Sequence, residues 1–193
     1  MRLQSRRGLV LPMTLAATLA ALAAPAPARA DAGGPWYGGV GIGPWQYFDC
    51  CGTHFRVSGE LGWHPSGHDE GFFLGLEVTT SFRDRLWQFH TGLRLGGDIE
   101  VWHNSDLALL LVPAGLVGFG VLDWDDRDPF REQAYFLLQP SFGAALALAD
   151  RLIHVFVRPA IFDLMFFPDY GPSRAFEFDW SYSVLGGVHF TFG

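Results

Sequence analysis

Apolar and polar side chains alternate without a break from Glu177 to Phe192. Successive side chains on a β-strand point to opposite faces, so this period of two predicts one long strand with an apolar face and a polar face. The apolar face carries Phe178, Trp180, Tyr182, Val184, Val188, Phe190 and Phe192. The pattern therefore favours an all-β fold.

Seven upstream segments repeat this pattern or are compatible with it, which gives eight predicted strands. They are 36–43, 55–64, 72–81, 87–102, 107–122, 134–148 and 152–166, followed by 177–192. In 152–166, alternation assigns Ile161 to the apolar face and Phe162 to the other face. The segment 107–122 is apolar on both faces, so its register stays open.

The connections between the predicted strands alternate in length. Segments 65–67, 103–106 and 149–151 are short and rich in the residues that tight turns favour. Segments 44–54, 123–133 and 167–175 are longer, and 82–86 is a short exception among them. Short turns at one end and longer loops at the other are typical of a transmembrane up-and-down barrel, and an even strand number returns both termini to one side.

Alternation alone does not say which face points inward, because a soluble lipocalin-like barrel has its apolar face inside. Three features favour an apolar exterior. The polar face lacks Lys and is rich in small residues, which fit a narrow eight-stranded interior. That face also mixes Arg with Asp and Glu in mid-strand. Finally, aromatic residues cluster at both ends of 177–192, as in the girdles of membrane barrels.

The first 30 residues have the three parts of a secretory signal peptide. Arg2, Arg6 and Arg7 precede an apolar run, and Ala28-Arg29-Ala30 is a small-x-small cleavage site. The predicted domains are therefore a cleaved signal at 1–30 and one barrel domain at 31–193. The alternative is an N-terminal anchor, although the run is short for a bilayer span.

The predicted mature chain is acidic. Four of the 13 basic residues lie in the signal, which leaves nine against 20 acidic residues and a net charge of −11. All basic residues are Arg. This charge argues against nucleic acid as a partner, because nucleic-acid binding needs a basic surface.

Trp36-Tyr37-Gly38-Gly39 opens the first predicted strand, and alternating aromatics fill the last. With these features, residues 36–192 resemble the small eight-stranded outer-membrane proteins of the OmpA transmembrane-domain and OmpX type. The resemblance implies an eight-stranded antiparallel transmembrane β-barrel that is inserted by the barrel assembly machinery. It implies no single activity. Gly193 departs from the aromatic residue that usually ends such chains.

The polar face supplies the candidate site residues, which we predict to form a paired network in the lumen. Charges there must be paired or hydrated, and pairing that fills the barrel is favoured over an ion or proton path. The predicted set is Arg56, Glu60, Glu77, His90, Arg94, Asp98, Glu100, His154, Arg158 and Asp179.

Three other clusters are more simply explained without a ligand. His64 and His68 lie in a turn with Asp69 and Glu70, which does not place both imidazoles on one face for a metal. The acidic run 123–128 departs from the EF-hand pattern, so a solvated loop is favoured over a Ca²⁺ site. Cys50 and Cys51 are adjacent, so a bond between them would be strained and two loop thiols are favoured.

The sequence carries neither a G-x-S-x-G nor a zincin motif, and every strand His falls on the polar, inward face. We therefore predict no catalytic residue, cofactor or metal. The interpretation is a monomeric, non-enzymatic outer-membrane barrel with a structural or interaction role, in contact with outer-membrane lipid and lipopolysaccharide. A barrel enzyme acting on envelope lipid and a narrow channel for small solutes remain the alternatives.

Overall fold

Eight long β-strands make up the computed structural model, which describes residues 34–47, 53–67, 71–83, 86–104, 106–124, 132–168 and 176–193. The strands are β1 Trp36–Tyr47, β2 Thr53–Trp63, β3 Gly71–Arg83, β4 Leu86–His103, β5 Ala108–Trp124, β6 Glu132–Leu148, β7 Ile153–Pro168 and β8 Phe176–Phe192. Each one overlaps the predicted strand at its place in the chain.

The strands form a closed antiparallel barrel in which each strand pairs with its sequence neighbours. β8 returns to pair with β1, with Trp36 opposite Phe192 and Trp45 opposite Ser183. Closure leaves no unpaired sheet edge, which is the condition for strands to cross a membrane. The predicted fold class, an eight-stranded antiparallel up-and-down barrel, is confirmed.

Gly34 and Gly193, the first and last residues that the structure describes, lie at one end of the barrel, which we call the terminal end; the opposite end is the loop end. The terminal end also carries the β2–β3, β4–β5 and β6–β7 connections. In the β4–β5 turn, the Asn104 side chain accepts hydrogen bonds from the amides of Asp106 and Leu107. In the β6–β7 turn, Ala149, Asp150 and Arg151 all have positive φ. These turns agree with the predicted short connections.

On most strands an apolar face points outward and a more polar face points into the lumen. On β2, for example, Phe55 and Leu61 are exposed while Arg56 and Glu60 are buried. The sequence left open which face of 107–122 points inward. In the structure Leu110, Leu116 and other apolar side chains of this segment are buried in the lumen. β5 therefore contributes apolar residues to both faces, so the lumen is apolar along this strand.

The predicted faces of β7 are wrong beyond its midpoint. Ile161 is buried in the lumen and Phe162 points outward, the reverse of the expectation. The pairing of β7 with β8 shifts between Arg158 and Ile161, so a β-bulge adds one residue there. An extra residue exchanges the two faces of everything that follows it.

Two glycines show how differently the strand positions tolerate a side chain. A Cβ on Gly43 would overlap the backbone of Val184, because β1 and β8 approach closely at this point. A Cβ on Gly115 would meet no atom within 4 Å. Gly43 is therefore required by packing, whereas Gly115 is not.

Candidate functional site: the barrel interior

Two arginines and two glutamates form a cluster at mid-height in the lumen, which we call the quartet: Glu60, Glu77, Arg94 and Arg158. Arg94 Nη1 lies 2.9 Å from Glu77 Oε2 and 3.1 Å from Glu60 Oε2. Arg158 Nη2 pairs with Glu60, and its Nη1 lies 3.5 Å from Glu77 Oε2. The four side chains come from β2, β3, β4 and β7, and all are buried. The structure thus brings together four of the predicted site residues with balanced charge.

Histidines lie between the quartet and the terminal end. His64 Nε2 is 2.8 Å from Asp98 Oδ2. His189 on β8 pairs with Glu60 of the quartet, and His154 on β7 is its cross-strand partner. We call His64, His154 and His189 the terminal-end histidines.

A second network lies nearer the loop end and is centred on Asp163. Arg56 pairs with Asp163 through two nitrogens, one of them 3.3 Å from Asp163 Oδ1. Asp163 also accepts hydrogen bonds from Trp45 Nε1 at 3.0 Å, Gln139 Nε2 at 2.6 Å and Ser181 Oγ at 2.9 Å. Because this buried carboxylate has a bidentate Arg and several further donors, its charge is compensated within the lumen.

The other predicted site residues lie outside these two clusters or at their edges. His90 is buried on β4, with its ring nitrogens 3.4 Å from Tyr135 Oη and from Gln139 Nε2. Glu100 lies at the terminal-end rim, where it pairs with Arg151 and His103. Asp179 lies towards the loop end and accepts a hydrogen bond from the Trp180 amide. Glu100 and Asp179 are thus not brought to the quartet.

Sequence reasoning missed Asp163, because the β7 bulge moves it from the outward face to the lumen. It also missed Trp45, which was assigned to a loop but is fully buried at 0% exposure. Extending the period of two from 36–43 to residue 45 would have placed Trp45 on the inward face. Nothing in the sequence marks the bulge itself, apart from Pro159 next to it.

A small cavity remains between the quartet and the terminal end. The space open to the centre of a water molecule is about 20 Å³. Polar residues that line it include Tyr37, Glu60, Arg94, Asp98, Arg158 and the terminal-end histidines. Thr191 completes the polar lining, and the remaining lining residues are apolar, with Phe73 and Phe156 beside the two arginines.

Within the described ranges, no group of three His, Cys, Asp or Glu side chains is arranged to hold a metal ion. The described part of the chain also contains no helix long and apolar enough to cross a bilayer. Residues 1–33, the cysteines 50–51, the turn residues 68–70 and the acidic run 125–128 lie outside the described residues. The predictions made for them stay predictions.

Comparison with known proteins finds similarity in structure only. No family model and no curated protein matches this sequence. The crystal structure of Neisserial surface protein A superposes with a TM-score of 0.52 at 8% identity, covering 81% of this chain and 96% of that one. The fold is that of the small eight-stranded outer-membrane barrels.

Two further crystal structures align over most of the barrel. The N-terminal β-barrel domain of Pseudomonas aeruginosa OprF has a TM-score of 0.48 at 14% identity and covers 83% of this chain and 99% of the domain. Ail of Yersinia pestis has a TM-score of 0.43 at 7% identity and covers 84% and 100%. At these values neither adds to the fold assignment, and the likeness as a whole concerns architecture and not activity.

Proposed function

We propose that this chain is a non-enzymatic outer-membrane barrel with a structural or interaction role in the envelope. One observation carries the proposal: large apolar side chains cover the outside of the barrel, while the charged networks of the quartet and Asp163 lie inside it. Exposed examples on six strands are Ile42, Leu61, Leu76, Ile99, Phe119, Val157 and Val155. Soluble monomers rarely expose apolar patches of more than a few hundred Å², so lipid is the environment that suits this surface.

The height of the apolar surface fits a membrane. On β1 the outward face is apolar from Trp36 to Pro44 and ends in the polar Gln46. At about 3.3 Å per residue and a strand tilt of about 40°, the apolar stretch is roughly 20 Å tall. Aromatic pairs lie near both ends of it, with Trp36–Trp63 at 6.2 Å and Phe55–Phe82 at 5.5 Å between ring centroids. Interfacial girdles of this type position a barrel in the bilayer.

The interior supports a closed lumen. The quartet crosses the barrel at mid-height, and the Asp163 network crosses it again nearer the loop end. A hydrated ion would have to separate buried, paired charges to pass, which is costly. We therefore propose a barrel whose lumen is filled by its own side chains and conducts little or nothing.

Lipid and lipopolysaccharide are the proposed surroundings, and the barrel assembly machinery is the proposed partner during insertion. The predicted signal at 1–30 would direct export, and the longer loops would face outside. The acidic segment 123–128 would then lie beside an anionic surface, where divalent ions can bridge. The proposed form is a monomer.

Fractionation and gel mobility test the proposed location. The protein should be recovered with outer membranes and should run faster on unboiled than on boiled denaturing gels, since a closed barrel resists unfolding in detergent. Recovery in the soluble periplasmic fraction would overturn the membrane assignment and favour a lipocalin-like soluble barrel.

Two further measurements separate the proposed role from its alternatives. Lipid A mass spectra with and without the protein should be identical; a new lipid A species would indicate an enzyme. Planar-bilayer recordings should show no steady single-channel conductance from the purified protein. Reproducible channels abolished by blocking the lumen would indicate a pore instead.

A further inference from the structure

Four side chains that line the cavity next to the quartet have buried polar atoms without a hydrogen-bond partner in the described part of the chain. Three of these atoms can donate: Arg94 Nε, Arg94 Nη2 and Tyr37 Oη. The other two are Glu60 Oε2 and His64 Nδ1. Glu60 Oε2 lies 3.1 Å from Arg94 Nη1, but not in hydrogen-bonding geometry. All four residues are at most 9% exposed, so bulk water does not satisfy these atoms.

Two of the five atoms are acceptors. Glu60 Oε2 belongs to an ion-paired carboxylate, which accepts hydrogen bonds only. His64 Nε2 lies 2.8 Å from Asp98 Oδ2. Because a carboxylate accepts, Nε2 of His64 donates to it, and Nδ1 of the neutral ring is then an acceptor. Donors and acceptors therefore border the same cavity, and leaving them unpaired is costly.

The position of the Tyr37 hydroxyl is fixed by the packing around it. The Tyr37 ring lies 5.4 Å from the His64 ring and 5.7 Å from the Phe73 ring, measured between centroids. Its hydroxyl lies over Gly62 and Gly75, where a Cβ would overlap it. Gly75 is the cross-strand partner of Arg94, so the hydroxyl is held on the same side of the lumen as the unpartnered Arg94 donors.

The size and charge of the cavity restrict what can occupy it. A space of about 20 Å³ for the centre of a water molecule suits a single water. The lining residues and their ion-pair partners include three carboxylates, Glu60, Glu77 and Asp98, but two guanidiniums, Arg94 and Arg158. With neutral imidazoles the surroundings are net negative, which disfavours an anion. A cation is also disfavoured, because the unpartnered N–H groups of Arg94 offer it no lone pair.

We infer that the cavity is a binding site for one ordered water molecule and excludes ions of either sign. Water accepts hydrogen bonds from Arg94 and Tyr37. The same molecule donates to Glu60 and His64, within the four hydrogen bonds that a buried water can make. It thereby joins the quartet to the His64–Asp98 pair without adding charge. The inference goes beyond the proposed closed lumen, because it assigns a specific occupant to the space that the side chains leave.

Two matched tyrosine variants test whether the Tyr37 hydroxyl has a partner. Removing a buried, hydrogen-bonded hydroxyl is destabilising, so Tyr37→Phe should lower the equilibrium constant for folding by roughly fivefold. Tyr135→Phe is the reference, because Tyr135 is equally buried but its hydroxyl accepts directly from Gln88 Nε2 at 2.8 Å and does not line the cavity. Urea unfolding of the folded barrel in phosphatidylcholine vesicles gives both constants.

The sign of the Tyr37→Phe effect separates a hydrated cavity from a dry one. In a dry cavity the hydroxyl would be an unsatisfied buried group, and its removal would leave the folding constant unchanged or raise it. A loss at Tyr37 similar to the loss at Tyr135 supports the water site. A neutral or stabilising Tyr37→Phe beside a destabilising Tyr135→Phe would contradict it.

A crystallographic measurement on the unmodified protein does not depend on any variant folding. Crystals are grown in rubidium bromide, because the rubidium and bromide ions both scatter anomalously. Density should show one ordered water about 2.7–3.2 Å from Glu60 Oε2 and from Nε or Nη2 of Arg94, with no anomalous peak there at either absorption edge. An anomalous peak at this position would show that the site holds an ion, and a position without density would show a dry cavity. Either result would overturn the inference.

Discussion

Replacing Arg94 by Met should destabilise the barrel strongly, because it removes a charge from the centre of the quartet. Met has nearly the length of the Arg stem, so the change removes the guanidinium with little change in packing. Glu60 and Glu77 then share Arg158 as their remaining arginine partner. Breaking a buried ion pair from one side costs about 3–5 kcal/mol, since an uncompensated charge stays buried.

The matched control is Arg151→Met. Arg151 pairs with Glu100 at the terminal-end rim, and its side chain is 30% exposed. Exposed pairs contribute about 0–1 kcal/mol, so this variant should unfold near the unmodified protein. Urea titrations in lipid vesicles, followed by gel mobility of the folded form, give both free energies of unfolding.

A double variant separates lost charge from lost packing. Adding Glu77→Gln to Arg94→Met removes the stranded carboxylate, so it should restore part of the loss. The reasoning fails if Arg94→Met costs no more than Arg151→Met, because both arginines would then face bulk water. It also fails if adding Glu77→Gln lowers the free energy of unfolding further, because Arg94 and Glu77 would then not be coupled.

Four other substitutions test local features by the same urea assay. Tyr182→Phe removes the hydroxyl that donates to the Pro159 carbonyl at the β7 bulge and should cost about 1 kcal/mol; no change would mean that this carbonyl is satisfied otherwise. Ala149→Gly should stabilise by up to about 1 kcal/mol, because Ala149 has a φ of 50° that glycine adopts without strain; destabilisation would argue against this turn geometry. Gly43→Ala should cost about 1–3 kcal/mol through overlap with β8, whereas Gly115→Ala should be nearly neutral; equal costs would contradict the close approach of β1 and β8.

The fold could be predicted from the sequence because, on most strands, one face is apolar and the other is polar. That difference located the strands other than β5 and placed Glu60, Glu77 and Arg94 on the inward face. It could not say that Arg94 contacts both glutamates, because such contacts depend on the register between β2, β3 and β4. Register is set by turns and packing and not by the period itself.

Other features of the barrel interior could not be predicted from the sequence, and each has its own physical reason. The bulge after Arg158 reverses the later faces of β7, which conceals Asp163 from a period-of-two analysis. β5 is apolar on both sides, so alternation carries no information there. His64 follows the last residue of β2, and its contact with Asp98 of β4 joins two residues that are 34 positions apart in the sequence.

The claim that the apolar exterior lies in a bilayer is tested most directly by replacing valine with arginine at two outward positions. The two positions lie at different heights along the barrel axis. Val78 and Val101 both point outward, with exposures of 43% and 49%. Val78 lies in the middle of β3, whereas Val101 lies near the terminal-end limit of β4. The two sites differ in their depth in the proposed membrane; Val101 also lies at the β4 bulge, where the pairing with β5 shifts.

The measurement is the free energy of unfolding in lipid vesicles for Val78→Arg and Val101→Arg. An Arg facing lipid costs about 2–4 kcal/mol at the bilayer midplane and about 0–1 kcal/mol near the interface. The account predicts that Val78→Arg is clearly the more destabilising of the two. Equal, small costs at both positions would place the apolar face in water and contradict a membrane barrel.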